Sequence, residues 1–232
     1  MPEGSSQVVH RVPGVRGANA WLVVSGEGAV LVDAGLPGHG AGIVAFLASL
    51  GLGAGDLRAI VLTHYDPDHA GSAAEVKALT GAPIAVHEHD APVLAGGFTP
   101  GRAKGPWRRP TALPRLARLG HELGMAVVVR RPWPGRTWRR LTADRLLRDG
   151  EALHGLRVVH APGHTAGSIV LVTGDGALLA GDAVFGDAAG RAHYPPRGSA
   201  LDPAQARATA RRLVEGGFTV LYPGHGEPVR SR

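Results

Sequence analysis

The chain contains no cysteine. Disulfides therefore cannot hold the fold together, and any metal must be bound by histidine and carboxylate rather than thiolate. No apolar run approaches the roughly 20 residues needed to cross a bilayer. The opening MPEGSSQVVHRVPGV has neither the basic start nor the continuous apolar segment of a secretory leader. A cytoplasmic protein that makes no membrane contact is the expectation. Acidic residues are scarce in one stretch: between positions 97 and 148 only Glu122 and Asp144 oppose a long series of arginines that runs from Arg102 to Arg148. That stretch also carries Trp107, Trp133 and Trp138.

What remains is a chain of 232 residues, 44% hydrophobic, long enough to bury a substantial core as one α/β-type domain. The net charge of +6 is concentrated in the basic stretch, so its location says more than its total. The Gly count of 35 and Pro count of 18 imply many turns. VVHRVPGV, NAWLVVSG and GAVLVDAG read as short strands of an antiparallel arrangement, followed by a helix in AGIVAFLASLG that ends on Gly51. LRAIVLTH reads as a buried strand, AGSAAEVKALTG as a helix closed by Gly81, and APIAVHEHD as a further strand. A second series follows: LRVVHAPG, then GSIVLVTGDGALLAGD with its turn at 174–176, the helix DPAQARATARRLVEGG, and the strand FTVLYPGHG. The shared order of the two halves suggests similar layers packed face to face.

The chemistry gathers in THYDPDHAG. In an extended segment residues two apart project to one side, so His64, Asp66 and Asp68 can converge while His69 begins the next helix. Three further polar residues end apolar strands and are flanked by glycine: His164 in APGHTAGS, Asp182 in LLAGDAVF and His225 in LYPGHGEP. Neutral imidazole and carboxylate suit zinc, iron(II) or manganese, and a carboxylate can bridge two ions ~3.5–4 Å apart.

HYDPDH, GHTAGS, GD and PGHG occur in this order, and the chain thereby resembles the metallo-β-lactamase-fold superfamily, whose usual first motif is HxHxDH. The match spans essentially the whole chain outside 97–148. The resemblance implies an α+β fold, a four-layer αβ/βα sandwich of two mixed sheets flanked by helices. It implies two divalent ions per chain, one held by His64, position 66 and His164, the other by Asp68, His69 and His225, with Asp182 bridging. Asp66 departs from the family, which usually has histidine there. A hard anionic ligand moves the preference from the family's usual zinc toward iron or manganese. The alternative is that Asp66 falls short of the ion and leaves a single site. Similar carboxylate substitutions occur in the flavo-diiron branch, but this chain has no flavodoxin-like domain.

Such a site would use a metal-bridging water as nucleophile on a small ester, lactone or thioester, as in glyoxalase II and lactonase-like relatives, with Asp68 or Asp182 relaying a proton to the leaving group. Asp33 in VLVDAG matches a common family element and is expected to hydrogen-bond the ligand loop rather than bind metal. Phe185 and Tyr194 follow the bridging aspartate and are candidates for the substrate pocket. Two alternatives differ in class: a phosphodiesterase or nuclease, favoured by the basic stretch, and a metal-binding protein without hydrolytic activity.

The basic stretch reads first as an insertion or lid over a small-molecule substrate, second as a solvated helix face in RLARLG and RTWRRLTADRLLRD, and third as a nucleic-acid surface. His87, Glu88, His89 and Asp90 look metal-like in isolation, but a structural or capping role is favoured because the site is already complete. His10, His39, His121, His154, His160 and His193 have no ligand partners in sequence. Oligomeric state leaves no mark in the sequence.

Overall fold

The structure, a computed structural model, describes residues 7–96 and 140–231. The first half begins with strands Val8–Arg11 (β1), Trp21–Ser25 (β2) and Gly28–Val32 (β3), then helix Gly40–Ser49 (α1) and strand Leu57–Val61 (β4). A single helical turn at Pro67–Ala70 (α2), helix Ala73–Thr80 (α3), strand Ile84–His87 (β5) and helix Ala91–Gly96 (α4) follow. Both α1 and α3 give way to a glycine in the left-handed region, Gly51 and Gly81, each with φ 77°. After the undescribed residues come Arg145–Leu147 (β6), Ala152–Leu153 (β7), Leu156–His160 (β8), Ile169–Val172 (β9) and Leu178–Gly181 (β10). Phe185–Gly186 (β11) and Ala192–His193 (β12) form a small hairpin, before helix Pro203–Glu215 (α5) and strands Val220–Pro223 (β13) and Val229–Arg230 (β14).

One sheet runs β1-β2-β3-β4-β5-β6, antiparallel through β3 and parallel from β3 to β6. The other runs β14-β13-β10-β9-β8-β7, parallel only between β10 and β13. Both sheets are mixed, as expected. Strand alternation builds three apolar layers. Trp21, Val30, Val61 and Ala85 of the first sheet meet Val158, Leu171 and Leu179 of the second between the sheets. On the outer face of the first sheet, Leu22, Leu31 and Ile60 pack with Ile43 and Leu47 of α1 and Val76 of α3. On the outer face of the second, Val170, Leu178 and Leu221 pack with Ala210 and Leu213 of α5. The result is the four-layer αβ/βα sandwich.

Most of the basic stretch, and with it the lid reading, lies outside the described residues. Its end corrects the expected boundary. Arg145–Leu147 is not part of an insertion or a helix face but the edge strand β6, parallel to β5. The Asp144 carboxylate accepts the Ile84 amide at 2.8 Å and ion-pairs with Lys77, while Leu147 is fully buried between the sheets. Three residues are too few for a readable two-residue alternation, so only the pairing reveals this strand. Among the described residues no helix is long and apolar enough to cross a membrane.

Candidate metal centre

The strands β4, β10 and β13 end at one edge of the sandwich, as does the β8–β9 loop, and deliver all seven of the expected ligand side chains there. His64, Asp66, Asp68 and His69 follow β4, His164 lies between β8 and β9, Asp182 follows β10, and His225 follows β13. Pro67 opens α2 at its first position, where its missing N–H costs nothing. Asp66 stands at the cap with extended backbone, and its carbonyl accepts the amides of His69 and Ala70. Its carboxylate makes no capping bond, which leaves it free to turn inward.

Asp66 Oδ2 lies 3.1 Å from His164 Nε2 and 3.5 Å from His64 Nε2, in a buried cluster of the three side chains. The carboxylate at the position of the missing histidine thus turns toward both histidines of its cluster. On the other side His225 Nε2 is 3.3 Å from Asp68 Oδ2 and 3.5 Å from Asp182 Oδ1, and Asp68, His69 and His225 form a second cluster. Asp182 joins the two: Oδ1 sits 3.1 Å from His69 Nε2, and Oδ2 3.6 Å from His164 Nε2.

His64 Nε2, His69 Nε2, His164 Nδ1 and Asp182 Oδ1 are buried without any hydrogen-bond partner. Burying such atoms unpaired costs about 1–3 kcal/mol each, and three of them, His64 Nε2, His69 Nε2 and Asp182 Oδ1, face the clusters just described. Nitrogen and oxygen atoms this close, near the ~3.4 Å separation of neighbouring donors around a tetrahedral zinc, are what a cation site requires. The donor set fits the metal pair that the sequence pattern implies.

The supporting bonds set which nitrogen of each ring faces inward. Asp33 Oδ2 accepts His69 Nδ1–H at 2.7 Å, which makes Nε2 the nitrogen that faces the cluster and would bind metal on losing its proton. Asp33 also accepts the Thr63 amide and the Thr63 hydroxyl, both at 2.8 Å. With its proton committed to Asp33, the Thr63 oxygen accepts from His64 Nδ1 at 3.0 Å, so His64 too presents Nε2. One carboxylate thereby orients two rings. Asp33 itself adopts φ 60°, a left-handed conformation that Asp tolerates better than most residues. Gly224 is needed for contact: a Cβ there would stand 2.6 Å from Asp182 Oδ1 and 2.7 Å from His69 Cε1.

The electrostatics divide the site. Burial opposes ionisation of Asp182 and Asp66, but the surrounding histidines outweigh it and hold both carboxyls below the ordinary range. Burial likewise opposes charge on His69, yet Asp182 and Asp33 outweigh it and push its pKa well above the usual histidine value. His64 goes the other way, lowered by burial and by His69 and His164. The buried groups lie toward His64 and His164, whereas Asp68 and His225 are partly exposed and mark the open side.

Phe185 packs its ring 5.4 Å from that of His225, on the open side. Tyr194 is exposed, and the Arg207 guanidinium lies over its ring at 4.6 Å. Three contributors were not singled out by sequence reasoning. Asn19 Nδ2 and Trp21 Nε1 both donate to the Pro223 carbonyl, pinning the loop that carries His225. Thr63 links Asp33 to His64. Asp90 takes the structural role expected for its segment, but across the sheets: its carboxylate accepts Thr165 Oγ1 and the Gly167 amide, both at 2.7 Å, beside His164. Burial raises its pKa to about 7. Beside it His87, His89 and His160 meet in space, although no sequence signal joined His160 to the other two. Burial, followed by His160 and His89, lowers the His87 pKa to about 4.

The sequence model of the metallo-beta-lactamase superfamily matches residues 13–225. The chain belongs to that superfamily. A hydroxyacylglutathione hydrolase of Cupriavidus taiwanensis is 32% identical over 228 residues, covering 96% of this chain and 68% of its own length. TTHA1623 in a di-iron-bound form is 25% identical with a TM-score of 0.65, covering 96% of this chain and 94% of its own. The B3 metallo-beta-lactamase BLEG-1, at 21% identity and TM-score 0.67, shares the fold with the same coverages of 96% and 94%. As a member of this superfamily the chain is a metallo-hydrolase, with histidine and aspartate groups placed to hold metal.

Proposed function

We propose that the chain is a binuclear metallo-hydrolase acting on a small thioester, ester or lactone. The observation that carries the reading is the convergence of seven side chains from both sheets around buried nitrogen and oxygen atoms that no protein group satisfies. His64, Asp66 and His164 would hold one ion and Asp68, His69 and His225 the other, with Asp182 able to serve both. When bound, two divalent ions supply Lewis-acid activation of a water and of the substrate carbonyl.

The chain's own groups do the rest. Asp33 keeps a proton of His69 on Nδ1, and Thr63 keeps that of His64 on Nδ1, so that each ring turns Nε2 inward. The partly exposed side at Asp68 and His225 admits the substrate, and Phe185 offers an apolar ring beside His225 for its acyl or thiol part. Asp68 is the proton carrier. Burial opposes its ionisation, but His225 and His69 hold its pKa below the ordinary value, so the carboxylate is ionised, and with Oδ2 beside His225 its other oxygen would take the proton and pass it to the departing oxygen or sulfur. The resemblance to a hydroxyacylglutathione hydrolase supports a thioester as the first substrate to try.

The test is hydrolysis of S-acyl-glutathione thioesters, lactones, β-lactams and phosphodiesters by protein loaded separately with zinc, iron(II) and manganese. Thioester or lactone turnover that vanishes on chelation and returns with metal is the expected result. Phosphodiester turnover alone would move the protein to the nuclease class, and no turnover by fully loaded protein would leave a metal-binding protein without hydrolytic activity.

A further inference from the structure

Apart from the seven-residue cluster and sharing no residue with it, His87, His89 and His160 place one ring nitrogen each within 4.8 Å of the others. His87 ends β5 of the first sheet, His89 lies in the turn after it, and His160 ends β8 of the second. The rings of His87 and His160 lie parallel at 4.3 Å, with His89 edge-on to both at 4.9 and 5.7 Å.

The bonding around these rings fixes where their lone pairs lie. A carbonyl can only accept, so the 2.9 Å contact between His160 Nε2 and the Ala166 oxygen places the proton on Nε2 and the lone pair on Nδ1. That is the arrangement of metal-binding histidines, whose second nitrogen donates to a backbone carbonyl. His87 Nδ1 accepts the amide N–H of His89 over a long 3.3 Å, a bond that an ion at this nitrogen would displace. His89 Nδ1 is buried with no partner. Anionic groups border the cluster: Asp149 accepts the His160 amide at 2.7 Å, and Glu88 sits between the two N-terminal histidines in sequence, paired with Arg148 at 2.9 Å.

We propose that His87, His89 and His160 form a third metal site, for a zinc-class divalent ion, that clips the end of β5 to the end of β8. Three imidazoles and no carboxylate select borderline ions such as zinc or cobalt over magnesium and calcium. Neighbouring nitrogens around zinc stand ~3.4 Å apart and the ion lies in the plane of each imidazole, so the stacked His160 ring must turn out of parallel with His87 on loading. His89 and His160 are only half-buried, which allows that movement. The fourth position is left to water or an external ligand. Because Asp90 follows His89 and bonds Thr165 and Gly167, an ion here also stiffens the loop that holds His164.

The test is zinc stoichiometry on full-length protein stripped by chelator and dialysed against zinc, with wild type beside His89→Gln and His160→Gln. Each variant is expected to bind one ion fewer per chain than wild type. The same difference is expected in an Asp182→Asn background, so that failure of the binuclear reading changes the total but not the difference. Zinc-loaded wild-type crystals should show an anomalous peak among the three rings, a measurement that does not depend on the variants folding. Equal loading of folded variants and wild type, or no peak there, overturns the proposal.

Discussion

Asp33→Asn separates the orientation of the metal-facing rings from every other property of the site. The left-handed backbone at Asp33 is as accessible to Asn as to Asp, and the side chains have nearly the same shape, so the substitution changes hydrogen bonding alone. Asp33 accepts three donors on two oxygens. An amide has one oxygen and one NH2. If the NH2 faces Thr63 N–H, a backbone donor is left opposite another donor and cannot change. If it faces the side chain of His69, the Thr63 hydroxyl can rotate, but His69 must give up the proton on Nδ1 and take one on Nε2, the nitrogen aimed at Asp182. In the first case a buried donor loses its acceptor, a cost of about 1–3 kcal/mol in the metal-free fold; in the second the relocated proton meets Asp182 Oδ1, 3.1 Å away. In that second case metal affinity falls, by roughly 10–100-fold, as for other groups that orient a metal-binding histidine. Urea unfolding without metal reads the first effect, and zinc competition against a chromophoric chelator reads the second. Stability unchanged and zinc affinity within about twofold of wild type would refute the claim that Asp33 sets the proton position on His69.

Three further outcomes follow from the same geometry. Asp66→His should raise the preference for zinc over iron and manganese, because an imidazole replaces a hard anionic donor beside His64 and His164; an unchanged metal profile by elemental analysis would place Asp66 outside the coordination sphere. Asp182→Asn should weaken both ions together, and loss of only one in a metal titration would show that Asp182 does not lie between them. Asp90 titrates near 7 in the fold against about 4 when unfolded, so its proton is held more tightly in the folded state. Its stabilisation is complete below pH ~4 and is lost as pH rises through 7, on the order of 4 kcal/mol in metal-free protein. Asp90→Asn should remove that slope from unfolding midpoints measured between pH 4 and 8, and a slope equal to that of wild type would contradict it.

The parts of this protein that could be read without coordinates share a physical character. His164, Asp182 and His225 each follow an apolar strand beside glycine, and His64 and Asp68 crowd with two further ligands into six residues after β4, a local contrast visible in a few residues. The layer order was legible for the same reason, since strand and helix periods differ over eight or ten positions. Asn19 and Thr63 act through partners 204 and 30 residues away, and nothing local distinguishes them from ordinary polar residues; Asp90 stood out in its segment, but its partner 77 residues away did not. The same holds for His160, dismissed as solitary because its neighbours belong to the opposite sheet. β6 escaped because three residues carry no period, and its arginines resembled a solvated helix face.

The division of the ligands between sheets gives the packed layer beneath them a second duty. His64, Asp66, Asp68 and His69 ride on the first sheet, whereas His164, Asp182 and His225 ride on the second. The distance between the two ligand groups is therefore gauged by side chains such as Ala59, Val61 and Leu171, which pack between the sheets and set how far apart they stand. Those residues act as the jaws of a calliper. A methyl group added or removed there re-spaces every donor pair that spans the sandwich, so the ion a member of this architecture accepts is tuned from its oily interior as well as from the ligands themselves.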